Sequence, residues 1–318
     1  FVPRTSQISL DPTRETAFAA FSCGTSNVNV LGMEVIMEKL KKHRIRIVTL
    51  ILCILLTLIC VTPMLFSFFT SVRSELEIMT GGFSFFPDKI TFENYKELFG
   101  SEYSASYPIM KWFGNSLFVA VMQTVLVVLI SSTSAYAYAR LDFPGKNVLF
   151  WFLMATMTFP AVINIIPLYK ICQTLGIVDT MWALILPNIA GVFNIFLIRQ
   201  FISGIPKELD EAAMIDGANK FQIYYKLILP LCLPVLIVVA MFAFTGAWND
   251  YLWPSIVMNS VDKLTITPGM QRIKSSFNTM HGHAIAGGFI SVIPTFIVYL
   301  FAQKHFMKGM QMQAGVKG

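Results

Sequence analysis

The sequence predicts an all-α, polytopic membrane bundle of about six transmembrane helices. Three observations carry that prediction. Hydrophobic residues make up 55% of the 318 positions and charged residues only 13%, where an ordinary soluble domain holds about a quarter charged. The charges are clustered, which leaves apolar stretches long enough to cross a bilayer. The excess of Lys and Arg, a formal charge of +6, gathers in a few short connections, as expected for the loops at one membrane face. A nucleic-acid partner explains that charge less well, because the basic residues alternate with spans and form no long stripe.

The elements follow in chain order. Residues 1–36 are rich in Ser, Thr and Asn without a sustained period, and read as a disordered or extraneous leader, with Met33 or Met37 as plausible starts. A basic cluster, Lys39 to Arg46, precedes a first span over 45–69. An extracytoplasmic loop over 70–111 carries Glu75, Glu77, Asp88, Glu93, Glu97 and Glu102 beside Arg73, Lys89, Lys96 and Lys111. The core, 112–303, holds spans at Phe113 to Ala139, Val148 to Ile171, Met181 to Ile202, Pro230 to Trp248 and Ala284 to Ala302. A tail, 304–318, closes the chain. Pro160, Pro167, Pro187, Pro234 and Pro294 fall inside spans, where neighbouring helices must satisfy the carbonyls that proline frees, so the spans are expected to pack and to kink.

The basic cluster before the first span places the N-terminus in the cytoplasm. The inside connections are then Arg140 to Lys146, Ser203 to Leu229 and the tail, holding Arg140, Lys146, Lys207, Lys220, Lys226, Lys304, Lys308 and Lys317. Both termini are predicted to be cytoplasmic. Of the five cysteines, Cys53, Cys60, Cys172 and Cys232 lie in or beside apolar runs and Cys23 in the leader, none at a metal-ligand spacing. Buried, unreactive thiols are expected, and neither a metal nor a disulfide framework.

One cytoplasmic connection has a chemistry of its own. It runs Ile205-Pro206-Lys207-Glu208-Leu209-Asp210-Glu211-Ala212-Ala213-Met214-Ile215-Asp216-Gly217-Ala218. Pro206 suits a first helical position, and Glu208, Asp210 and Glu211 set negative charge against the positive helix end. Gly217 can take the left-handed conformation that stops a helix. Leu209, Ala212, Ala213 and Ile215 then give an apolar, low-relief face outside the bilayer. A solvated loop has no use for such a face; a docking helix does.

With Ile228-Leu229-Pro230 following, this segment resembles the EAA loop of ABC importer permeases. Other stretches resemble the maltose-type sugar branch of that family: Ile90 to Tyr95, Asn115-Ser116, Ala135 to Leu141 with Phe143-Pro144-Gly145-Lys146, Trp248 to Pro254, and the terminal Gly315-Val316-Lys317-Gly318. The likeness covers about residue 60 to the end. It implies the type I importer permease fold in the bacterial plasma membrane, and a permease core whose EAA loop, 206–230, couples to a separate ATPase.

In that reading Leu209, Glu211, Ala212, Ala213, Met214, Ile215, Asp216 and Gly217 form the ATPase-coupling surface. Gly315, Val316, Lys317 and Gly318 form a tail at the ATPase interface, and 259–283 faces the sugar-binding protein. Trp248, Asn249 and Tyr251 carry rings and amides of the kind that stack on and hydrogen-bond sugars, so they are candidates for the substrate path, although aromatic residues also anchor helices at membrane interfaces. The implied partners are a second permease subunit in a heterodimer, two ATP-binding subunits, an extracytoplasmic sugar-binding protein and the lipid bilayer. No catalytic, cofactor-binding or metal-binding residue is implied in this chain, ATP being bound by the partner. The sequence contains no Gly-x-x-x-x-Gly-Lys-Ser/Thr phosphate loop.

The alternative is a secondary, ion-coupled solute transporter. Such carriers use intramembrane carboxylates, and Asp250, near the outer end of the fifth span, is the main one here. A membrane enzyme would need a His or carboxylate cluster. His281 and His283 sit in an outside loop with no acidic neighbour in sequence, and read as solvated.

Overall fold

A computed structural model describes residues 43, 45–82, 84–100, 103, 106–275 and 281–315, the side chains of 275 and 304–315 excepted. The leader, most of the basic cluster, Cys23, Glu102 and residues 316–318 lie outside the described residues. Among those described, every regular element is a helix, and the chain divides into two compact units, Phe1–Leu65 and Phe66–Gly318.

The first unit contributes most of helix α1, Ile45–Ser71, which at 27 residues reaches about 40 Å and is long enough to cross a bilayer. Its Ile, Leu and Val side chains are exposed on every face, as a lipid-facing helix requires. Thr49, Thr57 and Thr62 hide their hydroxyls by donating to the carbonyls four residues back, at 2.6–2.8 Å. Cys53 and Cys60 are also exposed on this helix, where burial was expected.

The second unit holds the bundle. Short helices α2, Glu75–Thr80, and α3, Glu93–Leu98, precede α4, Ile109–Arg140. Helix α4 starts directly after Pro108 and ends where Leu141 turns extended, ahead of Pro144 and the left-handed Gly145 (φ 80°). It is continuous over 32 residues and packs on both later halves of the core.

Three further crossings are bent pairs. Helices α5, Lys146–Thr156, and α6, Ala161–Thr174, meet at 95°, with Pro160 in the extended conformation at the break. The pair α7, Met181–Asn188, and α8, Val192–Ser203, bends by 43° after Pro187. Helices α10, Lys220–Leu231, and α11, Leu233–Asn249, meet at 77° around Cys232, next to Pro234. Counting each bent pair as one span gives up to six, as the hydropathy reading expected.

Proline does not break every helix. Pro167 sits within α6, and Pro294 within α14, His281–Gly315. Pro230, read from sequence as the start of the fifth span, lies inside α10 instead. The turn Ile223–Ile228 ahead of it is π-helical, and Leu229 N–H reaches back five residues to Tyr224. That widened turn accommodates a ring that would otherwise meet the carbonyl four residues back.

Between α11 and α14 lie α12, Leu252–Val257, and α13, Ile266–Ser275. Packing forms two buried clusters. Near the Ile109 end of α4, Trp112 joins Leu98, Trp248, Trp253, Ile266 and Ile273. Near its Arg140 end, Tyr136 joins Ile195, Ile202, Ile223, Ile228 and Val239.

Candidate coupling helix and solute cleft

The connection after α8 folds as a helix of its own, α9, Glu208–Ile215. Its N-cap is Lys207, so Pro206 lies just outside it and not at its first position. Glu208, Asp210 and Glu211 fill the first turn, where the positive end of the helix dipole favours them. The stop is a Schellman arrangement: Gly217 is left-handed at φ 85°, its N–H donates to Met214 O at 3.0 Å, and Ala218 N–H donates to Ala213 O at 2.9 Å. Asn219 then opens α10 with a reciprocal capping box to Gln222, at 2.8 and 2.9 Å.

Two faces of α9 differ. Leu209, Glu211, Ala212, Met214 and Ile215 are exposed, Ile215 by 86%, as are Asp216 and Gly217; Ala213 is half-buried. Asp210 turns inward. Its Oδ2 lies 2.7 Å from Arg140 Nε at the end of α4, and Arg140 Nη2 donates to Ile205 O at 2.7 Å. Burial pushes the Asp210 carboxyl above its ordinary value, the Arg140 guanidinium opposes that rise, and Glu211 adds to it. The exit of α9 is also held. Tyr136 donates to Lys220 O at 3.0 Å, and the Tyr224 hydroxyl lies 2.8 Å from Ser132 Oγ. None of these fastenings was visible in sequence, since each joins α4 to a segment far along the chain.

A cleft of about 310 Å³ opens midway between these ends, walled by α4, α7, α8 and α11. Gln123, Asn188, Asn194 and Asp250 provide its polar lining, beside Val127, Phe242, Ala243, Gly246 and Ala247. Three carboxamides and a carboxylate give paired donors and acceptors, the chemistry that hydroxylated solutes require. Sequence reading missed Gln123, Asn188 and Asn194 because a lone amide in an apolar span has no local signature.

Trp248, a candidate for the substrate path from sequence, does not line this cleft. It is 1% exposed, stacks on Phe244 with centroids 5.9 Å apart, and donates from Nε1 to Ser291 O at 2.8 Å. Packing of so large an apolar surface outweighs exposure, and the indole N–H finds its partner inside. Asn249 and Tyr251 are exposed and flank Asp250, but neither lines the cleft.

At the Ile109 end, Asn115 donates to Asp262 O and Leu264 O at 2.9 Å, and Ser116 Oγ accepts from Ile266 N–H at 2.7 Å. The Asn115-Ser116 pair singled out in sequence thus holds the start of α13. The predicted outside loop 259–283 holds α13 and the start of α14, with 276–280 outside the described residues. The histidines there are not solvated singly. His283 is 3% exposed with Nε2 2.9 Å from Glu97 Oε2, and His281 Nδ1 lies 3.2 Å from Glu75 Oε1. Their acidic companions come from α2 and α3, at the other end of the sequence. Gly315 ends α14, and Val316, Lys317 and Gly318 lie outside the described residues.

The family described as "Binding-protein-dependent transport system inner membrane component" matches residues 128–311. The arabinooligosaccharides transport system permease protein AraQ of Halalkalibacterium halodurans is 33% identical over 262 residues, covering 82% of this chain and 92% of the relative. The diacetylchitobiose uptake system permease protein NgcG of Streptomyces coelicolor is 34% identical over 257 residues, covering 80% and 83%. Among solved structures, a bacterial ABC transporter involved in the import of the acidic polysaccharide alginate superposes with a TM-score of 0.74 at 25% identity, covering 82% of this chain and 95% of the other. Matched over more than half its length and to such relatives, the chain belongs to the family of inner-membrane components of binding-protein-dependent transport systems.

Proposed function

We propose that this chain is the permease subunit of an ATP-driven importer that translocates a sugar or oligosaccharide delivered by an extracytoplasmic binding protein. The observation that carries this reading is α9: an exposed apolar face on a connecting helix, with its stop set by Gly217 and its back fastened to a membrane-spanning helix. The relatives named above transport arabinooligosaccharides and diacetylchitobiose, which supports the sugar class.

In this reading α9 docks on a separate ATP-binding subunit. Glu211 supplies the charged contact; Leu209, Ala212, Ala213, Met214 and Ile215 pack; Asp216 and Gly217 form the turn. The tail Gly315 to Gly318 joins the same interface. The chain does no chemistry and needs no cofactor: two ATP-binding subunits supply the energy, and a second permease subunit completes the pathway as a heterodimer. The α9 end carries Arg140, Lys146, Lys207, Lys220 and Lys226, which supports a cytoplasmic position for that end and for both termini in a bacterial plasma membrane. The cleft at Gln123, Asn188, Asn194 and Asp250 is this subunit's share of the solute path.

The test is uptake by proteoliposomes holding the whole complex. Glu211→Lys with Ala213→Asp should abolish ATP-driven uptake while the subunit still inserts normally; intact uptake refutes docking through α9. Uptake that persists without ATP and dissipates a pH gradient would favour an ion-coupled carrier instead.

A further inference from the structure

Helix α9 cannot hold its own position. It has eight residues, and so short a helix is marginal in water unless tertiary contacts fix it. Leu209, Met214 and Ile215 are turned outward and add little to that fixing. Ala213, with Ile205 before the helix and Ala218 after it, packs on the cluster around Tyr136, and Arg140 adds the polar grip. Nε meets Asp210 on α9, and Nη2 meets the Ile205 carbonyl on the strand of chain that enters α9. Both side chains are nearly closed to water, at 5% and 12% exposed. The other charges close to Asp210 are Lys207 and Glu211, on the same segment and exposed to solvent. Tyr136 and Ser132, on the same last turns of α4, tie the exit through Lys220 and Tyr224.

Farther along α4 stand Gln123 and Val127, in the wall of the cleft, with no break in the helix between them and Arg140. We propose that Arg140 is a positioning residue that locks the docking helix to α4, so that displacement of α9 carries α4 and the cleft wall bearing Gln123 and Val127 as one body. Lysine does not substitute: Arg140 meets Asp210 as an ion pair through Nε and donates a hydrogen bond to Ile205 O through Nη2, two separate nitrogens where lysine has one. The proposal rests on the reading that α9 docks on the ATPase subunit.

The experiment uses the complete complex in proteoliposomes, cysteine-free apart from spin labels at Glu208→Cys and Val125→Cys, and reads two quantities. One is the distance distribution between the labels through the ATP cycle; the other is ATP hydrolysed per solute imported. With Arg140 intact, the label distance should stay narrow and unchanged through the cycle. Arg140→Ala should broaden it and raise the ATP-to-solute ratio about tenfold. Exchanging the charges, Arg140→Asp with Asp210→Arg, should narrow the distribution again and recover part of the coupling.

Wild-type distance and ratio in Arg140→Ala, or no recovery on exchange, overturns the proposal. Should Arg140→Ala fail to assemble, Arg140→Lys supplies the same two readouts with the charge kept, and wild-type behaviour there overturns it equally. Cross-linking from Ile215→Cys to the ATPase subunit separates the two ideas. If no cross-link forms, the docking reading falls and the lock with it. If the cross-link forms while Arg140→Ala remains coupled, the lock alone falls.

Discussion

Gly269 lies flush against the indole of Trp112, so close that a β-carbon at 269 would fall within the ring's contact distance. The two belong to α13 and α4, and Trp112 also donates from Nε1 to Val261 O at 2.6 Å. A glycine interior to a helix ordinarily weakens it. Here it admits the ring that seats the segment after α12. Gly269→Ala should therefore destabilise the protein by about 1–3 kcal/mol, as overpacking does. Thermal unfolding of the detergent-solubilised complex would check it, with Gly246→Ala, where a β-carbon meets nothing within 4 Å, as the control.

Asp179 holds the α6–α7 connection to the segment after α12. Its Oδ1 accepts from Asn259 and Ser260 N–H at 2.9 and 3.0 Å, and its Oδ2 accepts from Ser260 Oγ at 2.6 Å and Lys263 Nζ at 3.1 Å. Burial raises its pKa, but these hydrogen bonds outweigh that and hold the carboxyl far below the usual range. The folded value is lowered, so the stabilisation is complete above the unfolded pKa near 4 and is lost as pH falls through the folded one. Asp179→Ala should cost about 1–3 kcal/mol at neutral pH. The difference from wild type, followed by thermal melts, should shrink only in strong acid.

Glu75 closes the start of α14 from a distance in sequence. It accepts from the N–H groups of His281 and Gly282, both at 2.8 Å. Burial raises the Glu75 pKa, while these bonds and the His281 ring lower it by more. The stabilisation is thus present above about pH 4.5 and lost as pH falls through the lowered value. Glu75→Gln should cost about 1 kcal/mol at pH 7, the scale of a charged helix cap, and progressively less in acid. Hydrogen exchange at the first amides of α14 would report it locally.

Ile215 separates stability from assembly. It is 86% exposed and makes no core contact, so Ile215→Asp should change the stability of the isolated subunit by no more than about 0.5 kcal/mol. Its affinity for the ATPase subunit should fall by about 1–3 kcal/mol, as on losing an interface anchor. Co-purification with the ATPase, measured beside a melt of the subunit alone, distinguishes the two effects.

Much of this protein was legible from hydropathy, and the reason is local. Backbone groups in lipid must be satisfied within one helix, so each span writes its own length into the sequence. Local chemistry also announced α9: Gly217 stops it as its residue type foretold, and Pro160 and Pro187 stand at real bends. The same rule misled at Pro230, where a π-helical turn absorbed the proline. Residue type alone did not place Trp248 in the packed interior, since composition does not say which side of a helix faces the cleft.

The sequence by itself determined the class of protein, the approximate spans and the separate helix α9, because each depends on residues that are neighbours in the chain. Only the tertiary structure decided how they act together. It paired His281 and His283 with Glu75 and Glu97, gathered Gln123, Asn188, Asn194 and Asp250 around one cleft, and turned Asp210 from a helix-end charge into the partner of Arg140. Each joins polar groups from different helices, where burial makes an unpartnered charge or amide costly and so dictates which helix faces must meet.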